Sequence, residues 1–254
     1  MIAIDLTGKV AVITGASGEL GRVMARTLAA AGAAVVVHYF RGADRAQALV
    51  DELRARGARA TAVAADVTQE ASVRALRELV VRELGDADII VNNAVIQYRW
   101  QPVLEQPDED FESQFRSCVM HSVYLVRAFA PAMIKKRWGR VVAINTECAI
   151  QCSPTQGAYA SAKRGLDGLV RVLAKELGSH QITVNQVAPG WTISERYRRE
   201  GTERQPEYDA GVPLGHRGTD QDVANAVAFL ASDLAGFITG AYLPVCGGNV
   251  MPGL

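Results

Sequence analysis

The chain has 254 residues, of which 49% are hydrophobic and 21% charged, a composition that excludes a disordered chain and a mini-protein needing disulfide or metal staples. Its 27 basic and 27 acidic side chains cancel, so the electrostatic footprint of a nucleic-acid binder is missing. The cysteines Cys118, Cys148, Cys152 and Cys246 form no C-x-x-C pair and no zinc-like spacing with histidine, so we expect no metal site and buried thiols in a reducing compartment.

The first residues, MIAIDLTGKVAVITG, lack a basic leader, and no uninterrupted apolar run reaches the roughly 18 residues of a membrane span. The expectation is a cytoplasmic protein without a membrane partner. Lys9 to Thr14 reads as a β-branched strand, followed by a glycine-rich turn and a helix over Arg22 to Ala31. The unit then repeats. Ala33 to Tyr39 is apolar and Ala43 to Arg56 helical, Ala60 to Ala65 apolar and Ala71 to Leu84 helical, and Ile89 to Asn92 apolar again. Beyond these come a long helix over Asp108 to Lys136, a strand at Arg140 to Asn145, a helix over Tyr159 to Leu177 and a strand at Thr183 to Val187. Asp220 to Ala231 is helical, and Ala241 to Val245 is a last strand. Strands alternating with helices predict an α/β fold, a doubly wound parallel sheet, in one domain over 1–254. Trp191 to Gly218 is polar and without period, which predicts a lid over a site.

The turn Thr14-Gly15-Ala16-Ser17-Gly18-Glu19-Leu20-Gly21 stands between the first strand and the first helix. Glycines there let the backbone approach a pyrophosphate at a helix N-terminus. With Asp66-Val67, Asn92-Asn93-Ala94, Tyr159-x-x-x-Lys163, Val184-Asn185 before Pro189-Gly190, and Gly247-Gly248, the chain resembles the short-chain dehydrogenase/reductase family over nearly its whole length. The resemblance implies a Rossmann-type sheet and a nicotinamide cofactor. It places that cofactor against Gly15, Ser17, Gly18, Leu20 and Gly21, then Asp66, Val67, Asn92, Ala94, Tyr159, Lys163, Pro189, Gly190 and Ser194. Asn92 is the residue expected to steady the sheet edge, and Ser194 to bind the nicotinamide carboxamide. Glu19 replaces the middle glycine of the short-form spacing, and its side chain is expected to face water.

Hydride transfer to or from a carbonyl needs an acid/base beside the oxygen. Tyr159 supplies a phenol, and Lys163, four residues on along one helix face, is expected to lower its pKa and, by the resemblance, to hold the nicotinamide ribose. The family serine lies thirteen positions before the tyrosine, where this chain has Thr146. Threonine keeps the hydroxyl and adds a methyl. The family's helix asparagine falls on Cys118, with Val95 and Cys246 as further departures. Loss of the asparagine side chain leaves a backbone carbonyl in the slot.

Gln97, Tyr98, Trp100, Glu147, Gln151, Trp191, Tyr197 and the lid arginines form the expected substrate walls, which suit a cyclic or hydroxylated ketone or alcohol. Lys135-Lys136-Arg137 suits either a solvated helix end or an acidic acyl carrier, as in the 3-oxoacyl reductases the chain also resembles. At the end of the second strand Tyr39 stands where an NAD enzyme carries an acid, and Arg41 follows. This points to NADP, with His38 a weaker candidate contact. The departures at Glu19, Val95, Cys118 and Thr146 leave an alternative, a dinucleotide-binding sensor or subunit with weak or no catalysis. The family and the apolar surface of Leu166, Leu169, Val170, Val172, Leu173 and Leu177 predict a homotetramer.

Overall fold

A computed structural model describes residues 3–253. Its centre is a seven-stranded parallel sheet of order β3-β2-β1-β4-β5-β6-β7, made of β1 (Val10–Ile13), β2 (Ala34–Tyr39), β3 (Ala60–Ala64), β4 (Ile89–Asn92), β5 (Gly139–Ile144), β6 (Ile182–Pro189) and β7 (Tyr242–Val245). The middle strands β1, β4 and β5 are buried at every position and, apart from Asn92 and Arg140, carry no polar side chain, as a sheet covered on both faces requires. One face packs under α1 (Glu19–Ala30), α2 (Ala43–Ala55) and α10 (Asp220–Ala231) around Ile13, Met24, Leu28, Val37, Val91 and Val227. The other packs under α3 (Glu70–Glu83), α5 (His121–Lys136) and α7 (Gly157–Gly178) around Val12, Leu76, Ile90, Phe129, Met133 and Leu166. The strand order reverses between β1, which pairs with β2, and β4, and a crevice opens there beyond the strand C-termini.

The expected long helix is α4 (Asp108–Phe115), a π-helical turn at Arg116–Met120 and α5 in one continuous run. The run 108–136 is long and apolar enough to cross a membrane by length and composition, but 56% of its most apolar window is buried inside the protein, as in a core helix.

The polar stretch 191–218 is not the structureless loop its sequence suggests. It contains α8 (Glu195–Glu200) and α9 (Pro206–Gly211), and a bridge from Ile193 to Thr219 ties its two ends together. Two further short elements escaped the periodicity: α6 (Cys148–Gln151) and a 3₁₀ turn at Asp233–Ala235. Both are shorter than the window over which a helical period can be counted.

Candidate active site

Gly15 has φ +64°, and a Cβ on Gly21 would lie 2.2 Å from the Gly15 carbonyl oxygen. Both positions therefore need glycine. Gly18 begins α1 without any side-chain cap, so the first N–H groups of the helix are left for a ligand. They border a cleft of about 670 Å³ lined by Gly15, Ser17, Gly18, Leu20 and Gly21, with Asp66, Val67 and Ala94 opposite. The uncapped helix and its side-chain-free approach fit a dinucleotide pyrophosphate.

His38 on β2 braces this turn from below. Its Nδ1 accepts the Gly15 N–H at 2.9 Å and its Nε2–H donates to the Ala65 carbonyl at 3.0 Å. Burial holds its pKa down at about 4, so the ring is neutral. Across the crevice the Thr14 hydroxyl accepts from the N–H groups of Asn93 and Ala94, and the Asn93 side chain donates to the Thr14 carbonyl at 2.8 Å.

Two expectations need correction here, the roles of Asn92 and Glu19. Asn93, not Asn92, steadies the sheet edge: Asn92 is buried outside the cleft wall, and its Oδ1 has no partner among the described residues. Adjacent side chains at a strand end point to opposite faces, so one step in sequence changes the side served. Arg41 is exposed and its guanidinium lies 5.5 Å from the Phe40 ring centre, while Phe40 forms the cleft wall. Glu19 does not simply face water. It lines the cleft, pairs with Arg22 at 3.1 Å and accepts the Arg196 N–H of α8 at 2.9 Å. Burial works against its charge, but hydrogen bonds from the Arg196 N–H and the Ser194 hydroxyl, with Arg22 nearby, hold the carboxyl below its usual range.

Asp66 serves the loop as well as the cleft. Its Oδ1 accepts from the N–H and hydroxyl of Thr68 at 2.9 and 2.7 Å, the side-chain turn expected of an aspartate after a strand.

A second cavity of about 340 Å³ shares Leu20, Asn93, Val95, Gln97 and Ser194 with the first and adds Thr146, Tyr159, Lys163, Pro189, Gly190, Trp191 and Tyr197. Tyr159 and Lys163 reach it from one face of α7, and Thr146 from just beyond β5. The Lys163 ammonium donates to the Ile144 carbonyl at 2.6 Å and stands 5.6 Å from the Tyr159 ring centre. The Asn145 side chain clasps the same helix by donating to the Lys163 carbonyl at 3.1 Å. Tyr159 is held from the other side by the Tyr98 hydroxyl, which accepts its N–H at 2.9 Å, and by the Trp100 ring stacked at 6.5 Å.

Burial raises the Tyr159 pKa above the ordinary phenol value, and charge on Cys118 and Cys148 would raise it further, while the Thr146 hydroxyl works the other way. The expected lowering is therefore reversed, because desolvation outweighs the favourable contacts. Cys118, in the slot of the family asparagine, lies in the π-helical turn, where its carbonyl accepts the Ser122 hydroxyl at 3.0 Å.

The 191–218 segment is organised by buried polar groups that the sequence pattern could not reveal. Arg217, 2% exposed, donates to the carbonyls of Trp191, Thr192, Thr202 and Glu203 and lies against the rings of Trp191 and Tyr197. The buried Glu147 accepts from the Tyr208 hydroxyl of α9 at 2.6 Å and from the Asn249 side chain at 3.0 Å. Gly190 is glycine because a Cβ there would sit 2.6 Å from the Tyr208 oxygen. Cys246 is buried, and its sulfur meets the Val250 N–H at 3.4 Å, as a packed thiol does.

The profile of the family described as enoyl-(acyl carrier protein) reductase matches residues 15–249. The chain is 39% identical over 248 residues to the 3-oxoacyl-[acyl-carrier-protein] reductase FabG of Escherichia coli, covering 98% of this chain and 100% of that protein. It is 40% identical over 250 residues to the protein of the same name from Pseudomonas aeruginosa, with the same coverage. A 7α-hydroxysteroid dehydrogenase, solved with NADH and 7-oxo glycochenodeoxycholic acid, superposes with a TM-score of 0.89 at 35% identity, over 98% of this chain and 97% of that one. A blue fluorescent protein from a metagenomic library, solved with NADPH, superposes with a TM-score of 0.89 at 36% identity, over 97% of this chain and 100% of that one. The chain belongs to the short-chain dehydrogenase/reductase family.

Proposed function

We propose that this chain, a nicotinamide-dependent oxidoreductase by family, interconverts a ketone and a secondary alcohol in the cavity shared by Thr146, Tyr159 and Lys163. One observation carries the reading: the cavity that holds these three groups adjoins the cleft of the glycine turn, sharing Leu20, Asn93 and Ser194 with it as common wall. Bound along the cleft, a nicotinamide cofactor would supply or take up the hydride. Gly15, Ser17, Gly18, Leu20 and Gly21 would hold its pyrophosphate, Asp66, Val67 and Ala94 its adenosine half, and Pro189, Gly190 and Ser194 its nicotinamide half. Thr146 and Tyr159 bind the substrate oxygen from one side. A phenol kept above its ordinary pKa by burial retains its proton at neutral pH, which suits Tyr159 to act as general acid in the reducing direction. Lys163 holds the ribose and, fixed on the Ile144 carbonyl, orients the tyrosine.

The cofactor is NADP in preference to NAD. Support comes from the end of β2, where Tyr39 stands in place of a carboxylate, Phe40 lines the cleft and the exposed Arg41 follows it. The exposed rings of Trp100 and Trp191 favour a cyclic or hydroxylated substrate over a plain aliphatic one. The names of the relatives favour a second substrate reading, a 3-oxoacyl group on an acidic carrier protein. The assembly is a cytoplasmic homotetramer. Steady-state turnover of a panel of ketones, alcohols and carrier-bound 3-oxoacyl substrates, with each dinucleotide, tests these readings together. Dinucleotide binding without turnover of any of them would favour a sensor or subunit.

A further inference from the structure

The cleft of the glycine turn contains an unusual set of charges. Glu19 occupies the first position of α1, where a pyrophosphate would approach, and Asp66 adds a second acid on the cleft wall. Arg22 does not offset them freely, because it is already paired with Glu19 at 3.1 Å and Glu195 at 2.5 Å. Arg196 is different. It lines the same cleft from α8, it is exposed, and no carboxylate of the described residues lies within salt-bridge distance of it. Its own N–H is bonded to Glu19 Oε2 at 2.9 Å across 177 residues of chain.

We infer that Arg196 is the cation that meets the pyrophosphate, and that Glu19 is its positioning residue, holding the first turn of α8 over the glycine turn. This rests on the reading of the cleft as a dinucleotide site. An acid that looks misplaced in a phosphate cradle is thus the fixed point from which a lid arginine reaches the phosphate. Two of its partners, the Arg196 N–H and the Arg22 guanidinium, already satisfy its charge in the free protein, so its repulsion of the ligand is reduced. The guanidinium of Arg196 rests 4.8 Å from the Tyr197 ring centre and meets the Tyr197 phenol, a neutral partner, so its charge is left without a carboxylate to neutralise it. The pyrophosphate is common to NADH and NADPH, so the contact serves affinity and not the choice between them.

The test is titration of the purified protein with NADH and NADPH by fluorescence or calorimetry, at two salt concentrations, with amide exchange at Arg196 measured without ligand. Arg196→Ala is expected to weaken both dinucleotides by a similar factor, about tenfold or more, as loss of a charge-assisted hydrogen bond does, and to flatten the salt dependence. Arg196→Lys recovers part of the loss. Glu19→Ala weakens both and speeds exchange of the Arg196 amide in the free protein, whereas Glu19→Gln, which still accepts that N–H, comes closer to the wild type. Tighter binding by either Glu19 variant would show that repulsion dominates and overturn the inference. Unchanged binding in Arg196→Ala would overturn it too, while leaving the cleft a dinucleotide site. A wild type that bound neither dinucleotide would overturn the reading of the cleft and the role of Arg196 with it; unchanged amide exchange in Glu19→Ala would separately remove Glu19 as the anchor of α8.

Discussion

The Tyr208 hydroxyl donates to the buried Glu147 carboxylate at 2.6 Å and accepts the Trp191 N–H at 2.8 Å. One phenol thereby joins α9 to the residue that follows Thr146 and to the start of the 191–218 segment. The Glu147 carboxylate pushes the Tyr208 pKa up, second to burial, so the phenol remains a donor at neutral pH.

Tyr208→Phe removes a hydrogen bond to a charged group and is expected to cost about 1.5–3 kcal/mol. Because the lid wall and not the chemistry is disturbed, the KM for substrate should rise severalfold with kcat little changed. Urea unfolding and steady-state kinetics check the two halves. A fall in kcat at constant KM would place Tyr208 in the chemical step.

Tyr159→Phe should leave dinucleotide affinity near that of the wild type while cutting turnover by about two orders of magnitude or more, since only the proton-bearing hydroxyl is lost. Lys163→Ala should damage turnover and affinity together. Equal turnover in the first variant, or unchanged affinity in the second, removes the corresponding role.

Acid should destabilise the fold through His38. In the unfolded chain this ring takes up its proton near pH 6.5, in the folded one only near about 4, with burial as the main cause. Between those values the unfolded state binds more protons, so stability is full above about pH 6.5 and falls by about 3 kcal/mol as the pH drops toward 4. His121, whose pKa burial lowers to about 3, adds a loss of the same sign. Protonated His38 also cannot accept the Gly15 N–H, so the glycine turn should loosen with it. Urea midpoints at pH 7.5 and 4.5 measure the effect, and His38→Asn should remove part of the slope. Equal midpoints would contradict the assignment.

Arg41→Ala is expected to weaken NADPH by roughly 1–3 kcal/mol and to leave NADH nearly unchanged. This pattern differs from the equal losses expected of Arg196→Ala, so the two arginines are separable in one set of titrations. Equal losses at Arg41, or a wild type that prefers NADH, would refute the preference for NADP.

The proposed homotetramer has a candidate contact surface. Phe115 and Val172 are exposed, and Phe111, Phe115, Met120 and Tyr124 border an open cavity beside α7. Sedimentation at micromolar concentration should give a tetramer, and Val172→Glu a smaller species. A monomeric wild type would contradict it.

The alternation of strands and helices was legible in the sequence because each element carries its own period, and α10 and β4 fall where the pattern puts them. So were the glycine turn and the pair Tyr159 and Lys163, since four residues along a helix always share a face. Partners far apart in sequence were not legible. Glu19 meets Arg196 across 177 residues and Tyr208 meets Glu147 across 61, and no local pattern records such a distance. That Asn93, and not the expected Asn92, reaches Thr14 was decided by which way a strand end points. The direction of the Tyr159 shift was settled by burial, which belongs to the packed molecule and not to the spacing of a lysine. The sequence by itself determined the strand order's chemical landmarks, the glycine turn and the pair Tyr159 and Lys163. Only the tertiary structure decided which groups were already bonded to one another and which were left for a ligand, because a hydrogen bond forms between neighbours in space, and packing chooses those neighbours.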